Sequence, residues 1–460
     1  MKRDLPSPHQ FVSYSVLKYC LGSVLILVFA MATVSNYNRH PDESNHLSAA
    51  GYYTNHFLPP EIGDPAVRNS YSVWGISYLN YQWVEYFLAG KFISMVSPLI
   101  RDPDLAARFF NCSLLVLLAV IFYYRSRTDN TEFIIPCFLL VTPQIWYVFS
   151  YCNNDAFAVF VSILLAYEIA SQQSSLSEYL RSKGVLPGLT GGVFAGLLFG
   201  LLIICKTNYW LFLFFAASWL FLNFPLNALA TKKYAIIALV ALSVFAFRIG
   251  LDFYVNGETD FSGSSYMNYF LGGFETKPGK LLAYQDEIAD YEFKPTTLEN
   301  ELERSRPEVK LKAKGTPAIE MLSKWHWHTL SFESFVGLYG YMNLSGPKWY
   351  YGAMLLLFFS FGLYVVVTII ARRDRESLRN FALAITGFLL ATAISFYLSW
   401  NYAFQPQGRY LFPVIPILAT FVYSYREFLN PRVINSFLIA VFILSVYSFV
   451  FVGLAQINNG

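Results

Sequence analysis

Charge is what this chain has least of. Of 460 residues only 14% are Asp, Glu, Lys or Arg, against roughly 25% in an ordinary soluble domain. The charges are also bunched, so the intervals between them are long and apolar. Cysteine is scarce as well. The five thiols (Cys20, Cys112, Cys137, Cys152 and Cys205) stand in or beside apolar runs, and none forms a CxxC pair. A disulfide framework and a zinc site are therefore both unsupported, and the thiols are expected to pack as small apolar groups. There is no basic patch: the net charge of +3 is spread over helix ends, which excludes a nucleic-acid surface. No small-residue cleavage site follows the first apolar run, so that run is expected to be a retained helix.

What is present is hydrophobic. Apolar and aromatic residues make up 55% of the sequence, and several runs approach the ~20 residues that cross a bilayer core. Such runs occur at 19–37, 109–124, 133–152, 156–170, 185–205, 209–225, 234–251, 349–371, 381–400, 410–425 and 433–455. The expected fold is an all-α integral membrane bundle of about eleven transmembrane helices. A further segment, 74–97, mixes Trp74, Tyr78, Tyr81, Trp83, Glu85, Tyr86 and Lys91 with its apolar residues. That composition suits a helix lying at the interface.

Basic residues set the orientation. If 74–97 does not cross and the N-terminus is cytoplasmic, the inner ends collect Lys2, Arg3, Arg125, Arg127, Lys232, Lys233, Arg372, Arg373, Arg375 and Arg379. Short-loop Lys and Arg favour the cytoplasm, so the eleven-span arrangement follows. It divides the chain into an N-terminal membrane module (1–251) with a first outer loop (38–108), an extracytoplasmic insert (252–348) and C-terminal membrane helices (349–460). The insert carries a charge-rich stretch at 275–324 and is expected to be partly helical. Gly192, Gly196 and Gly200 stand four apart in the fifth run, a spacing that lets helices approach closely.

This topology brings four polar clusters to one face. HPDESNHL supplies Asp42, Glu43 and His46 just beyond the first span. Adjacent carboxylates there suit general-base work or cation binding, although Asp42 after Pro41 would equally cap a helix. Asn153, Asn154 and Asp155 fill a short turn, which as plain turn chemistry would be unremarkable. Lys206 either snorkels to the headgroups or holds a lipid phosphate as a point charge. QPQGRYLFP supplies Gln405, Gln407, Arg409 and Tyr410, and an outer-boundary arginine suits bidentate phosphate recognition. Arg108 and Arg248 are weaker candidates of the same kind. His326 and His328 in KWHWH read as an interfacial strip.

In this order, PDESNH, NNDA, SFESFVGLYGY and QGRYLFP resemble a bacterial family of polytopic proteins within the GT-C glycosyltransferase superfamily, alongside protein mannosyltransferases and the lipid A aminoarabinose transferase. The resemblance runs from about residue 20 to 450, with only the four motifs specific. It implies a transferase that moves a sugar from a polyprenyl-phosphate carrier to a glycan, lipid or protein acceptor on the extracytoplasmic face of the inner membrane. Asp42 would then be the base, with Glu43 beside it, and Asp155 the acidic residue of the next outer loop. Lys206, Arg409 and less securely Arg108 would hold the lipid phosphate, with His46, Asn154, Gln407 and Tyr410 lining the site. Many members of the superfamily need no metal, so no cofactor is expected, while oligosaccharyltransferase relatives that need a divalent ion keep one open. Insert 252–348 has no aligned counterpart, so the acceptor does not transfer. A transporter would carry its charges near the midplane in repeated halves, and neither feature is seen. A glycan polymerase stays open, and a non-enzymatic scaffold would leave the Asp-Glu pair and the outer cations without a purpose.

Overall fold

The structure is a computed structural model that describes residues 14–81, 83–127, 129–224, 226–257, 280–294, 296–297 and 306–459. Lys2 and Arg3, and residues 258–279, 295 and 298–305 of the charge-rich insert, lie outside the described residues.

All eleven apolar runs are helical. Seven helices among the described residues are long and apolar enough to cross a membrane: Val16–Val34, Pro103–Arg125, Asp155–Arg181, Ala228–Asn256, Lys348–Arg372, Arg375–Asn401 and Pro431–Leu454. The protein is an integral membrane protein. Polar residues mark the helix starts. Asp102 accepts from Asp104 N ahead of Pro103, Asn227 from Leu229 and Ala230, Asp374 from Ser377, and Asn430 from Arg432 ahead of Pro431. Each satisfies backbone donors that lipid could not. For reference below, α1 is Tyr14–Val34, α2 Glu43–Asn55, α3 Tyr78–Tyr81, α4 Trp83–Val96, α5 Pro103–Arg125 and α6 Ile134–Cys137. Then come α7 Pro143–Phe149, α8 Asp155–Ala170, α9 Ser175–Arg181, α10 Leu189–Cys205, α11 Trp210–Asn223 and α12 Ala228–Asn256. The later helices are α13 Lys280–Ile288, α14 Ala318–Ser323, α15 Trp327–Gly337, α16 Lys348–Arg372, α17 Arg375–Asn401, α18 Val414–Ser424 and α19 Pro431–Tyr447.

The other four runs are not simple spans. Run 133–152 breaks at Val141–Thr142, and its two halves meet at 86°. Thr142 caps the second half by accepting from Gln144 N, and Pro143 opens it, so the sequence writes a new helix start there. Run 185–205 yields the 17-residue α10, 209–225 the 14-residue α11, and 410–425 the 11-residue α18. Irregular backbone at membrane depth is tolerated where protein surrounds it. Residues 132–159 are accordingly buried throughout. The window within Asp155–Arg181 is 83% buried, whereas those of α12 and α16 are only 17% buried and form the periphery.

The glycine spacing in α10 performs its packing role. A Cβ at Gly196 or Gly200 would stand 2.7 Å from the Cβ of Val240 or Val244 on α12. In the first long segment, α4 has 14 residues, about 21 Å at 1.5 Å each, too short to cross alone. It packs across α2, with Gly90 against Ala50 and Tyr53. The insert docks on this segment: Asp290 N donates to Val73 O at 2.9 Å, and the Trp74 ring lies tilted against Phe293, centroids 3.7 Å apart. Lys310 N and Lys312 N donate to Tyr402 O and Trp400 O at the end of α17. Its late part ends in a two-stranded hairpin, Leu338–Tyr339 against Leu344–Ser345.

Candidate functional site

The four motifs converge at the ends of the irregular helices. Gly408 holds two of them together: its N–H donates to Ser334 Oγ at 3.0 Å, and a Cβ there would overlap the backbone N of Phe335. Only glycine lets QGRY abut SFESF. The next residue, Arg409, then reaches between two carboxylates. Its Nη2 stands 3.7 Å from Asp42 Oδ2 and its Nη1 3.8 Å from Asp155 Oδ2. Gln407 accepts from Arg409 Nε at 2.6 Å and so fixes the guanidinium plane, while Tyr410 donates to Gln405 Oε1 at 2.7 Å.

Lys206 meets the same cluster from the other side. It sits in extended backbone between α10 and α11, pairs with Asp155 Oδ1 and donates to Asn154 Oδ1 at 3.2 Å. Asp155 opens α8, and the cap is supplied by Asn153, whose Oδ1 accepts from Asp155 N at 2.8 Å and Ala156 N at 3.2 Å. The NNDA turn therefore divides its work. Asn153 builds the helix start, and Asn154 and Asp155 are left to hold Lys206. Burial lowers the Lys206 ammonium below its ordinary value, with Asp155 opposing that shift.

Asp42 is arranged differently. It precedes α2 in a left-handed conformation (φ 56°), and its side chain makes no cap hydrogen bond. Its carbonyl starts the helix by accepting from Asn45 and His46 N–H, so the carboxylate takes no part in the cap. Left-handed backbone is tolerated by Asp yet unusual, and such outliers point to function. The Asp42 side chain is 43% exposed while that of Asp155 is wholly buried. Tyr78 donates to Asp42 Oδ2 at 3.4 Å. The Tyr78 ring lies 4.0 Å from His46, whose Nδ1 pairs with the Tyr86 hydroxyl at 2.6 Å. Burial pushes His46 well below its usual range, reinforced by Arg409 and Lys206, so it is neutral.

Glu43 and Arg108 do not join the cluster. They form a pair of their own, Nε to Oε1 at 2.8 Å and Nη2 to Oε2 at 2.9 Å. The remaining Arg108 donors go to the carbonyls of Ala32, Ser35 and Asn36. Among the sequence candidates, Asp42, His46, Asn154, Asp155, Lys206, Gln407, Arg409 and Tyr410 thus come together, and Glu43 and Arg108 stand apart. His326 lies at φ 51° just before α15, away from them. Among the described residues no three His, Cys, Asp or Glu side chains converge as a metal would require.

Several participants escaped sequence reasoning. Glu85 on α4 is 2% exposed, and burial, with Asp155 next in effect, raises its carboxyl well above the usual range. His40 pairs with the Tyr147 hydroxyl at 2.8 Å and stacks on Tyr151. Gly340 N also donates to that hydroxyl and Leu338 N to Gln144 Oε1, so the LYGY stretch is anchored on α7. Arg248, a weaker anion candidate from the sequence, is instead engaged within the protein: it pairs with Asp252 one turn along α12, a partner the sequence reading did not name, and donates to the carbonyl of Asn80. Opposite charges four apart in an apolar helix were a readable signal for that pair.

No protein-family model matches the chain, and no curated protein matches it in sequence. Among solved structures, the crystal structure of ArnT from Cupriavidus metallidurans bound to undecaprenyl phosphate is similar, with a TM-score of 0.52 and 13% identity. The alignment covers 93% of this chain and 63% of that one, so the chain spans under two thirds of its length. At that identity the likeness concerns architecture. The chain shares the all-α membrane fold of that structure.

Proposed function

We propose that the chain is a membrane glycosyltransferase that moves a sugar from a polyprenyl-phosphate carrier to an acceptor hydroxyl on the extracytoplasmic face. One observation carries the reading. Arg409 and Lys206 flank Asp155, while Asp42, across Arg409, keeps a part-exposed carboxylate held only by long contacts from Tyr78 and Arg409. An acceptor can reach Asp42 but not the buried Asp155. The two therefore take different roles, Asp42 as base and Asp155 as the group that aligns the cations.

In the reaction the acceptor oxygen attacks the anomeric carbon and passes its proton to Asp42. The bond from that carbon to the phosphate oxygen breaks, and its electron pair leaves with the lipid phosphate. Negative charge grows on that phosphate, where Arg409 and Lys206 stabilise it, and such electrostatic assistance is often the dominant contribution to catalysis. The Arg409 donors lie beyond hydrogen-bond length from both carboxylates, so a phosphate can enter without first breaking a tight pair. Asn154, Gln407 and Tyr410 fix the two cations and the site wall. Neutral His46 supports Tyr78 against Asp42. The remote Glu43–Arg108 pair is assigned to structure, joining the end of α1 to α2 and α5. No step requires a resident metal.

The test is Asp42→Asn in purified protein with labelled polyprenyl-phosphate sugar and an acceptor panel. Transfer should fall by about 10²–10⁴-fold, the usual worth of a positioned base, while carrier binding persists. Near-normal transfer would end the assignment of Asp42. Carriage of the lipid sugar across vesicles without bond cleavage would end the transferase reading.

A further inference from the structure

One buried acid beside the cation cluster takes no part in the transfer mechanism. Glu85 lies in the first turn of α4 and is 2% exposed. It packs against the start of α8, where the Phe157 N–H donates to its carboxyl. Asn153 already takes the N–H groups of Asp155 and Ala156, so Glu85 completes the first turn of that helix. Its Oε2 has no hydrogen-bond partner among the described residues, and it forms no ion pair with them.

The groups around Glu85 decide its state. Asp155 and Cys152 face it from the turn that opens α8, Lys206 and Cys205 from the end of α10, and Tyr86 from its own helix. On the other helices packed against α4, His46 of α2 is neutral and bonded to Tyr86, and Arg108 of α5 is committed to Glu43. Lys206 is thus the cation that faces Glu85, and it is already paired with Asp155. An ionised Glu85 would be a second carboxylate on one shared ammonium, in a place closed to water. Burial penalises that charge far more than a single unpaired O–H. The carboxyl is therefore neutral.

The charge balance of the cluster depends on that proton. Lys206 and Arg409 offset Asp155 and Asp42 one for one. The cluster is neutral while Glu85 is neutral, and it carries an excess negative charge once Glu85 ionises. An anion arriving at the two cations would meet that excess across a buried region, where charges interact strongly. We propose that Glu85 is a positioning residue for the anionic carrier: as a neutral acid it leaves Lys206 and Arg409 free to receive one phosphodiester charge, and its ionisation expels that charge. Glu85 acts through the field at Lys206 and touches no substrate. That the phosphodiester belongs to the sugar carrier rests on the transferase reading; the linkage of one proton to one bound phosphodiester does not.

The probe is the methyl ester of polyprenyl phosphate, a phosphodiester with no sugar to transfer and one negative charge throughout. Its binding to the full chain in detergent is measured from pH 6 to pH 10. Native affinity should be level and then fall on the order of tenfold to a hundredfold as Glu85 ionises, the usual size of coupling between linked sites. Glu85→Gln keeps the shape and an acceptor for the Phe157 N–H but cannot ionise. It should match the native affinity at the acid end and hold it to higher pH, until Lys206 loses its proton. The native chain supplies a second reading should that variant fold poorly. In infrared difference spectra a protonated-carboxyl band should vanish along the limb and return when the phosphodiester is added, because the coupling is reciprocal. Loss of the Lys206 proton gives no such band. An unchanged limb in Glu85→Gln would assign it to Lys206 and overturn the role of Glu85. So would tighter binding by Glu85→Gln at every pH, the mark of an acid ionised throughout, or a carboxyl band indifferent to the phosphodiester. Absence of binding by the native chain at any pH would overturn the carrier reading and this role with it. Transfer is never measured, so a failure of Asp42 as base leaves each of these outcomes as it stands.

Discussion

Asp42 and Glu43 are neighbours with the same charge, and each faces an arginine, yet the two arrangements have little in common. Glu43 is fully enclosed and takes Arg108 bidentately at 2.8 and 2.9 Å, with every other guanidinium donor spent on backbone carbonyls. Asp42 is part-exposed and stands 3.7 Å from Arg409. The difference arises from one backbone torsion. The left-handed turn at Asp42 sends its carboxylate away from the helix it opens, and Glu43, one residue on, points into the bundle. A closed, saturated pair holds elements together, and an open pair with spare donors is available to a ligand. Charge in a membrane protein carries both meanings, and hydrogen-bond saturation separates them.

The strongest way to break this contrast is to remove one partner from each pair. Arg108→Ala strands Glu43 as a buried, unpaired charge, and such losses cost about 3–5 kcal/mol. Unfolding of the detergent-solubilised chain should register it directly. Asp42→Asn should shift the same transition by less than about 0.5 kcal/mol, as for an ordinary part-exposed position. Equal shifts in the two variants would dissolve the distinction between structural and functional carboxylate.

A second variant acts on the geometry that keeps the Asp42–Arg409 pair open. Gly408→Ala drives a methyl into the Phe335 backbone, which leaves no room for a Cβ. Overpacking of this kind costs roughly 1–3 kcal/mol. It also moves Arg409, so transfer should fall further than stability alone explains. Unchanged transfer would show that Arg409 is not tied to the SFESF contact.

How much of this was legible beforehand follows the regularity of each segment. Long apolar runs announced their helices, and Gly192, Gly196 and Gly200 announced a close packing face that α10 and α12 share through Gly196 and Gly200. The break at Thr142-Pro143 was written in cap chemistry, but hydropathy smooths over it because both halves are equally apolar and buried. The site was legible as a set of motifs and not as an arrangement. Spacing could not separate Asp42 from Glu43, since the torsion that parts them is set by tertiary contacts. Nor could it reveal Glu85, whose significance depends on Asp155 and Lys206 arriving from distant segments.

The buried histidines extend the contrast to pH. His40 and His46 are both held below their ordinary value near 6.5, in each case chiefly by burial. A depressed histidine means that the unfolded chain binds the proton more readily. Stability is therefore full above about pH 6.5 and declines as pH falls below it, by up to about 1.4 kcal/mol per unit for each histidine. Unfolding measured from pH 7.5 to 5.5 should show that slope. His46→Gln should reduce it by one proton's worth, leaving the part due to His40. The raised Glu85 carboxyl adds a slope of the opposite sign, so the comparison between variants decides: an identical profile in His46→Gln and the native chain would mean that the His46 ring titrates normally.

The finest test concerns the hydrogen bond that links the aromatic wall to the base. Tyr78→Phe deletes a donor 3.4 Å from Asp42 Oδ2 and keeps the ring stacked on His46. A bond that long to a part-exposed carboxylate is worth no more than about 1 kcal/mol, so stability should hardly move. The catalytic effect should be small as well. Without the Tyr78 hydroxyl the Asp42 carboxylate loses one of the groups that orient it, so transfer should fall only a few-fold. Were Tyr78→Phe to transfer at the native rate while Tyr78→Leu lost activity, Tyr78 would be acting through its ring and not through its hydroxyl on Asp42.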